Sequence, residues 1–280
     1  MSLAERNAVK LRSRELTRAS AAFYTLSRMH RPPGRIGPIL SRSPNEWINR
    51  VNERHRTFAA LKVTIDERRH LDTWLTSRFV SATLRLEQID VARKAWARHT
   101  GPAADQAPFI IAHLTNALRE AMLLASAEGQ QARLTPELLV RLSGAGLRAH
   151  DDGVNGSTVY MPAAHVARAV ENACDWFAAE SFDELNPVEQ AAIVFLRLAT
   201  IQPFEQASEA TALVAASLFT LRAGLPPVTI RPEMQTAYEN ALVEAGRMNM
   251  QPLVELMAEA VSLTLDEMTE FVKQARGERL

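Results

Sequence analysis

The stretch of the chain with the most chemical potential is a short polar run, Gln202 to Glu209, set between two apolar segments. It holds two carboxylates, Glu205 and Glu209, and carboxylates can bind a divalent metal ion. The run contains no histidine or arginine, and the amide of Gln202 cannot act as a base at neutral pH. Glu209 also has a simple explanation, because an acid at the start of a helix interacts favourably with the helix dipole.

Other reactive residue types give no catalytic pattern. The sole cysteine, Cys174, excludes an intrachain disulfide and a cysteine-based zinc site, and its apolar surroundings favour a packed thiol. Dinucleotide-binding, Walker and Gly-x-Ser-x-Gly signatures are missing. The histidines show no metal-ligand spacing and none is near the polar run; they are His30, His55, His70, His99, His113, His150 and His165.

The charge balance argues against nucleic acid or a membrane as a general partner. Lys+Arg and Asp+Glu number 32 each, so no net field attracts an anionic surface. The first 70 residues are rich in arginine, which favours a solvated helix or tail over a nucleic-acid arm. No apolar run is long enough to cross a bilayer and the start of the chain does not resemble a signal peptide, so we expect a cytoplasmic protein.

The apolar spacing that must position the polar run is helical almost throughout. The polar run follows a helix that begins at Asn186, and the helix after it is apolar nearly all round before Gly224-Leu225-Pro226-Pro227 ends it. The predicted helices cover about 4–28, 44–60, 66–98, 108–126, 138–142, 162–180, 186–200, 210–223, 231–246 and 251–274.

Residues 146–162 break the helical pattern. Two dipeptides that favour tight turns, Asp152-Gly153 and Asn155-Gly156, lie among alternating apolar residues, so we predict one β-hairpin at about 147–161. The predicted fold class is therefore all-α (mainly helical) with this single hairpin.

The order of these elements is similar to the Fic (Fido-fold) family. Tyr160-Met161-Pro162 resembles the end of the family's flap hairpin, and the segment from Pro187 to Phe204 resembles the helix that leads into its His-Pro-Phe motif. Leu221 to Pro227 resembles the end of the next helix. The resemblance implies a Fic-type helical core at 106–265, with N-terminal helices before it.

The family's motif is His-Pro-Phe-x-Asp/Glu-Gly-Asn-Gly-Arg-x-x-Arg, which serves transfer of a nucleotide, usually AMP, to a protein hydroxyl. Its His acts as base, its acid holds Mg²⁺, and its glycines and arginines receive phosphate. In this sequence Pro203 and Phe204 agree with the motif. The chemically active positions carry other residues, namely Gln202, Gln206, Ala207, Ser208, Glu209, Ala210 and Leu213. The resemblance thus implies a degenerate motif.

Many family members also carry an inhibitory helix with the pattern Ser/Thr-x-x-x-Glu-Gly/Asn. Thr83 and Glu87 match it, near 75–90, although the last position is glutamine. The family's glutamate pairs with the second motif arginine, which is Leu213 here and cannot pair. Glu87 is then a polar residue on an amphipathic helix, or it bonds elsewhere, to Arg85 or Arg197.

The resemblance divides the chain into three parts. Residues 1–105 form an N-terminal helical region that includes the inhibitory-type helix, residues 106–265 form the Fic-like domain, and residues 266–280 are the end of the last helix and a tail. These limits are expectations from the order of elements.

The leading functional hypothesis is a catalytically inactive Fic-like protein that acts in protein binding or regulation. Tyr160 and Met161 are the candidates for docking an extended peptide at the flap, and a homodimer through helical surfaces stays open. No cofactor is expected, and ATP with Mg²⁺ would bind only if activity is retained. The alternatives are a residual or altered nucleotidyl transferase and, less favoured, a DNA-associated regulator.

Overall fold

The computed structural model describes residues 46–98, 107–125, 133–149, 161–205 and 207–277, and of residues 87–98 and 107–110 the backbone alone. All regular elements in these ranges are helical. They are α1 (Glu46–Ala59), α2 (Ile65–Arg98), α3 (Ala107–Leu124), α4 (Pro136–Ser143), α5 (Ala163–Phe177), α6 (Glu180–Asp183), α7 (Pro187–Ile201), α8 (Ser208–Arg222), a 3₁₀ turn (Pro232–Met234), α9 (Gln235–Gly246) and α10 (Gln251–Ala275).

The helices predicted from apolar spacing are confirmed wherever the structure describes the chain, with ends that shift by a few residues. The predicted helix at 4–28 and most of the predicted hairpin, residues 150–160, lie outside the described residues. The described flanks of that hairpin, 147–149 and 161–162, have no strand. The hairpin itself stays a prediction, and α10 continues through position 265, where the core domain was expected to end.

Helix α8 is the centre of the fold. Every residue from Ala210 to Thr220 is buried, as its apolar composition on all faces predicts. It packs against α7 over most of its length and also contacts α2, α3 and α4. Because α7 and α8 are consecutive and antiparallel, the short connection between them, which is the polar run, lies at one end of this core.

The α7 start is fixed by a reciprocal cap. The Val188 N–H donates to the Asn186 side chain at 3.0 Å, and the Asn186 N–H donates to the Glu189 carboxylate at 3.1 Å. Pro187 in the first turn needs no backbone donor there. Such a capping box fixes where α7 begins and therefore where its last turn delivers Gln202.

The opposite end of α8 is held by two buried hydroxyls. Ser217 Oγ accepts the Val228 N–H at 3.0 Å, and Thr220 Oγ1 donates to the Pro226 carbonyl at 2.8 Å. Gly224 adopts the left-handed conformation, φ +75°, which lets the chain turn back. These bonds attach the segment after the helix to the helix itself.

Helices α1 and α10 lie side by side and run in the same direction. Two ion pairs join them, Arg50–Glu259 at 2.5 Å and Arg54–Asp266 at 2.8 Å. Farther along, Arg276 binds the Glu67 carboxylate at 2.7 Å. The hydrogen bonds from Arg276 and from the Thr64 backbone lower the pKa of Glu67 to about 2. No helix in the described ranges is long and apolar enough to span a membrane.

Candidate functional site

The polar run forms a tight loop between α7 and α8, which we call the motif loop (residues 202–209). Two of its residues, Gln202 (φ +50°) and Ala207 (φ +52°), have left-handed backbone conformations without being glycine. Such conformations disfavour side chains with a Cβ, so surrounding contacts must hold them. Gln206, between them, lies outside the described residues.

Gln202 turns its amide back onto the helix that precedes it. Its side-chain N–H donates to the Ala199 carbonyl at 2.8 Å, and its backbone N–H donates to the Leu198 carbonyl at 2.9 Å. Both donors therefore satisfy carbonyls in the last turn of α7, which lack intrahelical partners. The side chain acts as a helix cap.

Ser208 closes the loop upon itself. Its hydroxyl accepts the Phe204 N–H at 2.9 Å and donates to the Phe204 carbonyl at 2.7 Å. Phe204 is 2% exposed and Ser208 is 5% exposed, so both groups are shielded from water. The hydroxyl that the sequence offered as a polar site residue is used to hold the backbone together.

Ala207 occupies the first position where the family motif has glycine, and it keeps a backbone conformation typical of glycine, φ 52° and ψ 28°. It precedes α8, and its carbonyl accepts the Thr211 N–H at 2.8 Å. The motif loop thus retains a turn suited to glycine while carrying a methyl group at that position.

The two carboxylates of the motif loop have different surroundings. Glu205 is exposed to solvent. Glu209, in the first turn of α8, is half-buried and accepts a hydrogen bond from the Tyr238 hydroxyl at 3.3 Å. Tyr238 is buried against Phe195, with ring centroids 6.1 Å apart. A buried tyrosine therefore holds the Glu209 carboxylate against the start of α8, where the helix dipole also favours it.

The two positions that carry arginine in the family motif are closed. Ala210 is fully buried and Leu213 is 2% exposed. Both belong to the packed core around α8, in which space for a guanidinium is lacking unless neighbours move. The chain could not present a phosphate-binding charge from either position without rearranging that core.

Arg148 is the residue near the motif loop that sequence reasoning missed. Its backbone N–H donates to the Pro203 carbonyl at 2.8 Å, and its side-chain Nε–H donates to the Gln202 carbonyl at 3.2 Å. Its Nη2 donates to the Met161 carbonyl. One arginine therefore joins the motif loop to both flanks of residues 149–160.

The remaining predicted site residues fall in several places. Thr83 is buried, but the side chain of Glu87 and all of Tyr160 lie outside the described residues. Met161 is 7% exposed, so its side chain belongs to the core. Arg85, one suggested partner of Glu87, is exposed, while burial lowers the pKa of the other, Arg197. The inhibitory helix and the flap docking residues stay predictions.

A metal ion at the motif loop does not fit the residues that the structure describes. Within those ranges no group of three or more His, Cys, Asp or Glu side chains is close enough to share an ion. Glu209 is engaged by Tyr238, and Glu205 stands alone at the surface. A hard cation such as Mg²⁺ would find one free carboxylate here instead of a prepared set of oxygen ligands.

Sequence comparison finds a family similarity that includes this loop. Residues 131–220 match the sequence model of the Fic/DOC family. The protein named Protein adenylyltransferase Fic in Drosophila willistoni is 32% identical over 92 residues, which cover 33% of this chain and 18% of that protein. The chain spans about a fifth of the length of the curated relatives it matches. Residues 131–220 are thus similar to the Fic/DOC family, and part of the chain is similar to protein adenylyltransferases.

Solved structures show the same fold. A Fic domain containing signaling protein from Bacteroides thetaiotaomicron superimposes with a TM-score of 0.66 and 16% identity, covering 82% of this chain and 98% of the other. Fic-1 from C. elegans superimposes with a TM-score of 0.63 and 20% identity, covering 81% and 71% of the two chains. The described part of the chain has an all-helical Fic-like fold.

Proposed function

We propose that the Fic/DOC family domain of this chain does not transfer nucleotide and instead acts as a protein-binding or regulatory module. The observation that carries the proposal is the closed motif loop. Gln202 caps α7, and Ser208 bonds both backbone groups of Phe204. The side chains of Gln202 and Ser208 are therefore engaged by backbone groups of the protein itself.

The first missing function is a base. Transfer to a protein hydroxyl needs a group that removes the hydroxyl proton, and loss of a general base costs on the order of 10²–10⁴ in rate. The Gln202 amide is not basic at neutral pH and faces the Ala199 carbonyl. Within the described residues, the motif loop offers no histidine to replace it.

The second missing function is a place for phosphate charge. Phosphoryl and nucleotidyl transfer depend on cationic and metal contacts to the phosphate oxygens. Here Ala210 and Leu213 are buried apolar residues, and the carboxylate of Glu209 lies at the start of α8. A negative side chain at a helix start competes with an incoming phosphate for the same dipole.

Binding is supported by the rigidity of the same loop. Arg148 bonds the carbonyls of Gln202 and Pro203, and two residues keep strained left-handed conformations. A strained backbone persists only where its surroundings fix it, so the described residues of the motif loop present a defined surface. Exposed Glu205 is on that surface. Such a surface suits a protein or peptide partner that recognises a fixed backbone shape and the negative charge of Glu205.

A transfer assay tests the catalytic half of the proposal. Purified chain is incubated with labelled ATP, GTP or CDP-choline and Mg²⁺, and label on the chain itself or on lysate proteins is measured. We expect no incorporation above background. Incorporation that disappears in the variants Gln202→Ala and Glu205→Ala, but not in the surface control Arg168→Ala, would show a residual or altered transferase.

Thermal unfolding separates nucleotide binding from catalysis. We expect ATP, GTP, AMP and CDP-choline to leave the melting temperature unchanged with or without Mg²⁺. A nucleotide that binds at 100 times its dissociation constant would stabilise the fold by about 2.7 kcal/mol, a shift of several degrees. Such a shift that requires Mg²⁺ and is lost in Glu205→Gln would favour the transferase alternative.

Affinity capture tests the binding half. Proteins retained on the immobilised chain are compared with those retained on Glu205→Arg, which reverses the exposed charge of the motif loop, and on Arg168→Glu, a charge reversal elsewhere. The proposal predicts partners lost with the first variant and kept with the second. Partners that both variants retain would place the binding surface away from the motif loop.

A further inference from the structure

Arg222, the last residue of α8, carries a guanidinium edge without a partner. Its Nε and Nη2 atoms are shielded from solvent and have no hydrogen-bond partner among the described residues. These two nitrogens form the edge with which arginine binds a carboxylate through two parallel hydrogen bonds. Buried donors of this kind are rare because leaving each unsatisfied is costly.

An aromatic cluster, defined as Trp176, Phe177, Phe182 and Phe219, includes one ring from the last turn of α8. The guanidinium lies over the Phe219 ring, 5.4 Å from its centroid. Phe219 in turn packs edge-on against Phe182 at 5.6 Å, and Phe182 against Trp176 at 5.3 Å. One aromatic face, that of Phe219, therefore lies against the guanidinium, where it attracts the positive charge.

The positive charge of Arg222 is not neutralised by an ion pair within the described structure. Burial lowers the pKa of its guanidinium, and the charge of Asp183 partly offsets this effect. Asp183 is itself exposed on the short helix α6, and no ion pair joins it to Arg222 in the described structure. A desolvated cation with an unfilled fork has more to gain from a carboxylate than an exposed arginine does.

We propose that Arg222 and the aromatic cluster form a second binding site that takes a carboxylate. The site is separate from the motif loop, because the 15 residues of α8 place their two ends about 20 Å apart. The guanidinium, which lies over the Phe219 ring, donates from Nε and Nη2 to the two carboxylate oxygens. Because both nitrogens are shielded in the present structure and Arg222 as a whole is only partly buried, ligand binding requires the outer side-chain torsions to rotate and expose this edge.

A purely stabilising role for Arg222 explains its position at the helix end but does not explain its unpartnered Nε and Nη2 edge. A cation at the last turn of a helix stabilises the helix dipole by about 0.3–1 kcal/mol, but lysine would do so without a fork. Pairing with Asp183 would satisfy the fork within the chain. The variants Arg222→Lys and Asp183→Asn separate these explanations from ligand binding.

The probe is acetate, with chloride at equal ionic strength as the reference anion. For a dissociation constant of about 100 mM, about 200 mM acetate should raise the melting temperature by about 2 °C more than chloride does. The Arg222 Nε–Hε signal, assigned by its loss in Arg222→Lys, should move with acetate and not with chloride. Phosphate at the same ionic strength should move it less than acetate if the planar fork selects the ligand.

Variants decide the outcome. The acetate shift should vanish in Arg222→Met and Arg222→Lys, and persist in Asp183→Asn and in Arg168→Met, which removes an exposed arginine. An acetate effect that survives in Arg222→Met would overturn the proposal, as would no excess over chloride. If Asp183→Asn destabilises the chain as much as Arg222→Met does, Asp183 fills the fork in solution and the site is not a ligand site.

Discussion

At both ends of α8 a serine hydroxyl binds a backbone N–H group, but the two ends differ in whether their polar side chains have hydrogen-bond partners. At the first end Ser208 binds the Phe204 N–H, and at the other end Ser217 binds the Val228 N–H. The first end uses an alanine in a left-handed turn where the second uses Gly224. Yet at the motif-loop end the side chains of Gln202 and Ser208 are bonded to backbone groups, while the other end holds an arginine fork without a partner among the described residues.

This difference shows that sequence position within a family motif and chemical availability are separate properties. Availability depends on whether a polar group already has a bonded neighbour, which only the folded structure reveals. In the motif loop, the described side chains of Gln202, Ser208 and Glu209 all have hydrogen-bond partners within the protein. At the far end of α8, the Arg222 guanidinium has two donors without a hydrogen-bond partner among the described residues.

The largest expected effect tests the two serine bonds together. Ser208→Ala and Ser217→Ala should each lower the free energy of unfolding by about 1–3 kcal/mol, because each leaves a buried backbone N–H of Phe204 or Val228 unsatisfied. Urea unfolding measures the change. Ser262→Ala is the control: its hydroxyl is buried without a hydrogen-bond partner among the described residues, so the same substitution should cost little. Equal losses in all three variants would contradict the distinction.

The next effect concerns the turn after α8. Gly224→Ala should destabilise by about 1–2 kcal/mol, because φ +75° disfavours a Cβ, and the new methyl would lie 3.4 Å from His55 Nε2. Gly146→Ala is the matched control, since a Cβ there meets nothing within 4 Å and its backbone is not left-handed. Thermal unfolding of the two variants should differ by several degrees. A Gly224 variant as stable as the Gly146 variant would mean that this turn readily takes another conformation.

Replacing alanine by glycine in the motif loop should raise the free energy of unfolding, whereas replacing glycine by alanine at position 224 should lower it. Ala207→Gly relieves a left-handed conformation and should stabilise the chain by about 0.5–1 kcal/mol after the entropy of glycine is counted. Ala215→Gly, within α8 and fully buried, should destabilise it by at least a similar amount. Chemical denaturation of both variants gives the signs. A loss of stability in Ala207→Gly would show that the loop is not strained in solution.

The smallest expected effect is a pH dependence of the free energy of unfolding that arises at the Glu67–Arg276 contact, away from both ends of α8. Glu67 has a pKa lowered to about 2 by Arg276, against an ordinary value of 4.5. The contact therefore stabilises the fold fully above pH 4.5 and is lost as the pH falls toward 2. Between about pH 5 and about pH 3 the wild type should lose more stability than Glu67→Gln. The cost of Ser208→Ala should stay constant over this range, and a change in that cost would link the two regions.

Apolar spacing was enough to predict the helices, because each has a buried face whose residues recur at helical intervals. The residue Asn186 marked the start of α7 correctly. The break of α7 at Gln202 and the burial of α8 followed from the same pattern. The hairpin prediction rests on two turn dipeptides, which lie outside the described residues.

The sequence predicts which residues form the motif loop, but it does not predict their hydrogen-bond partners. Residue types located the motif loop, but they do not say that Ser208 bonds Phe204 or that Tyr238 reaches Glu209. Arg148 had no signal at all, because its partners are backbone carbonyls of Gln202 and Met161, one of them 54 positions away. Any residue can supply a carbonyl, so no sequence pattern marks such a contact. Arg222 was equally invisible, since an arginine in the last turn of a helix is ordinary.

The burial of Ala210 and Leu213 has a consequence for how this sequence can change over generations. A surface position such as Glu205 accepts most substitutions within about 0.5 kcal/mol, so selection can test them one at a time. An arginine at Leu213 would place an unpaired charge in the core at a cost of about 3–5 kcal/mol, enough to exhaust much of the stability of a domain. The helices packed around α8 would have to make room first. Packing therefore sets an order on mutation: the neighbours of these two positions must change before either position can accept an arginine.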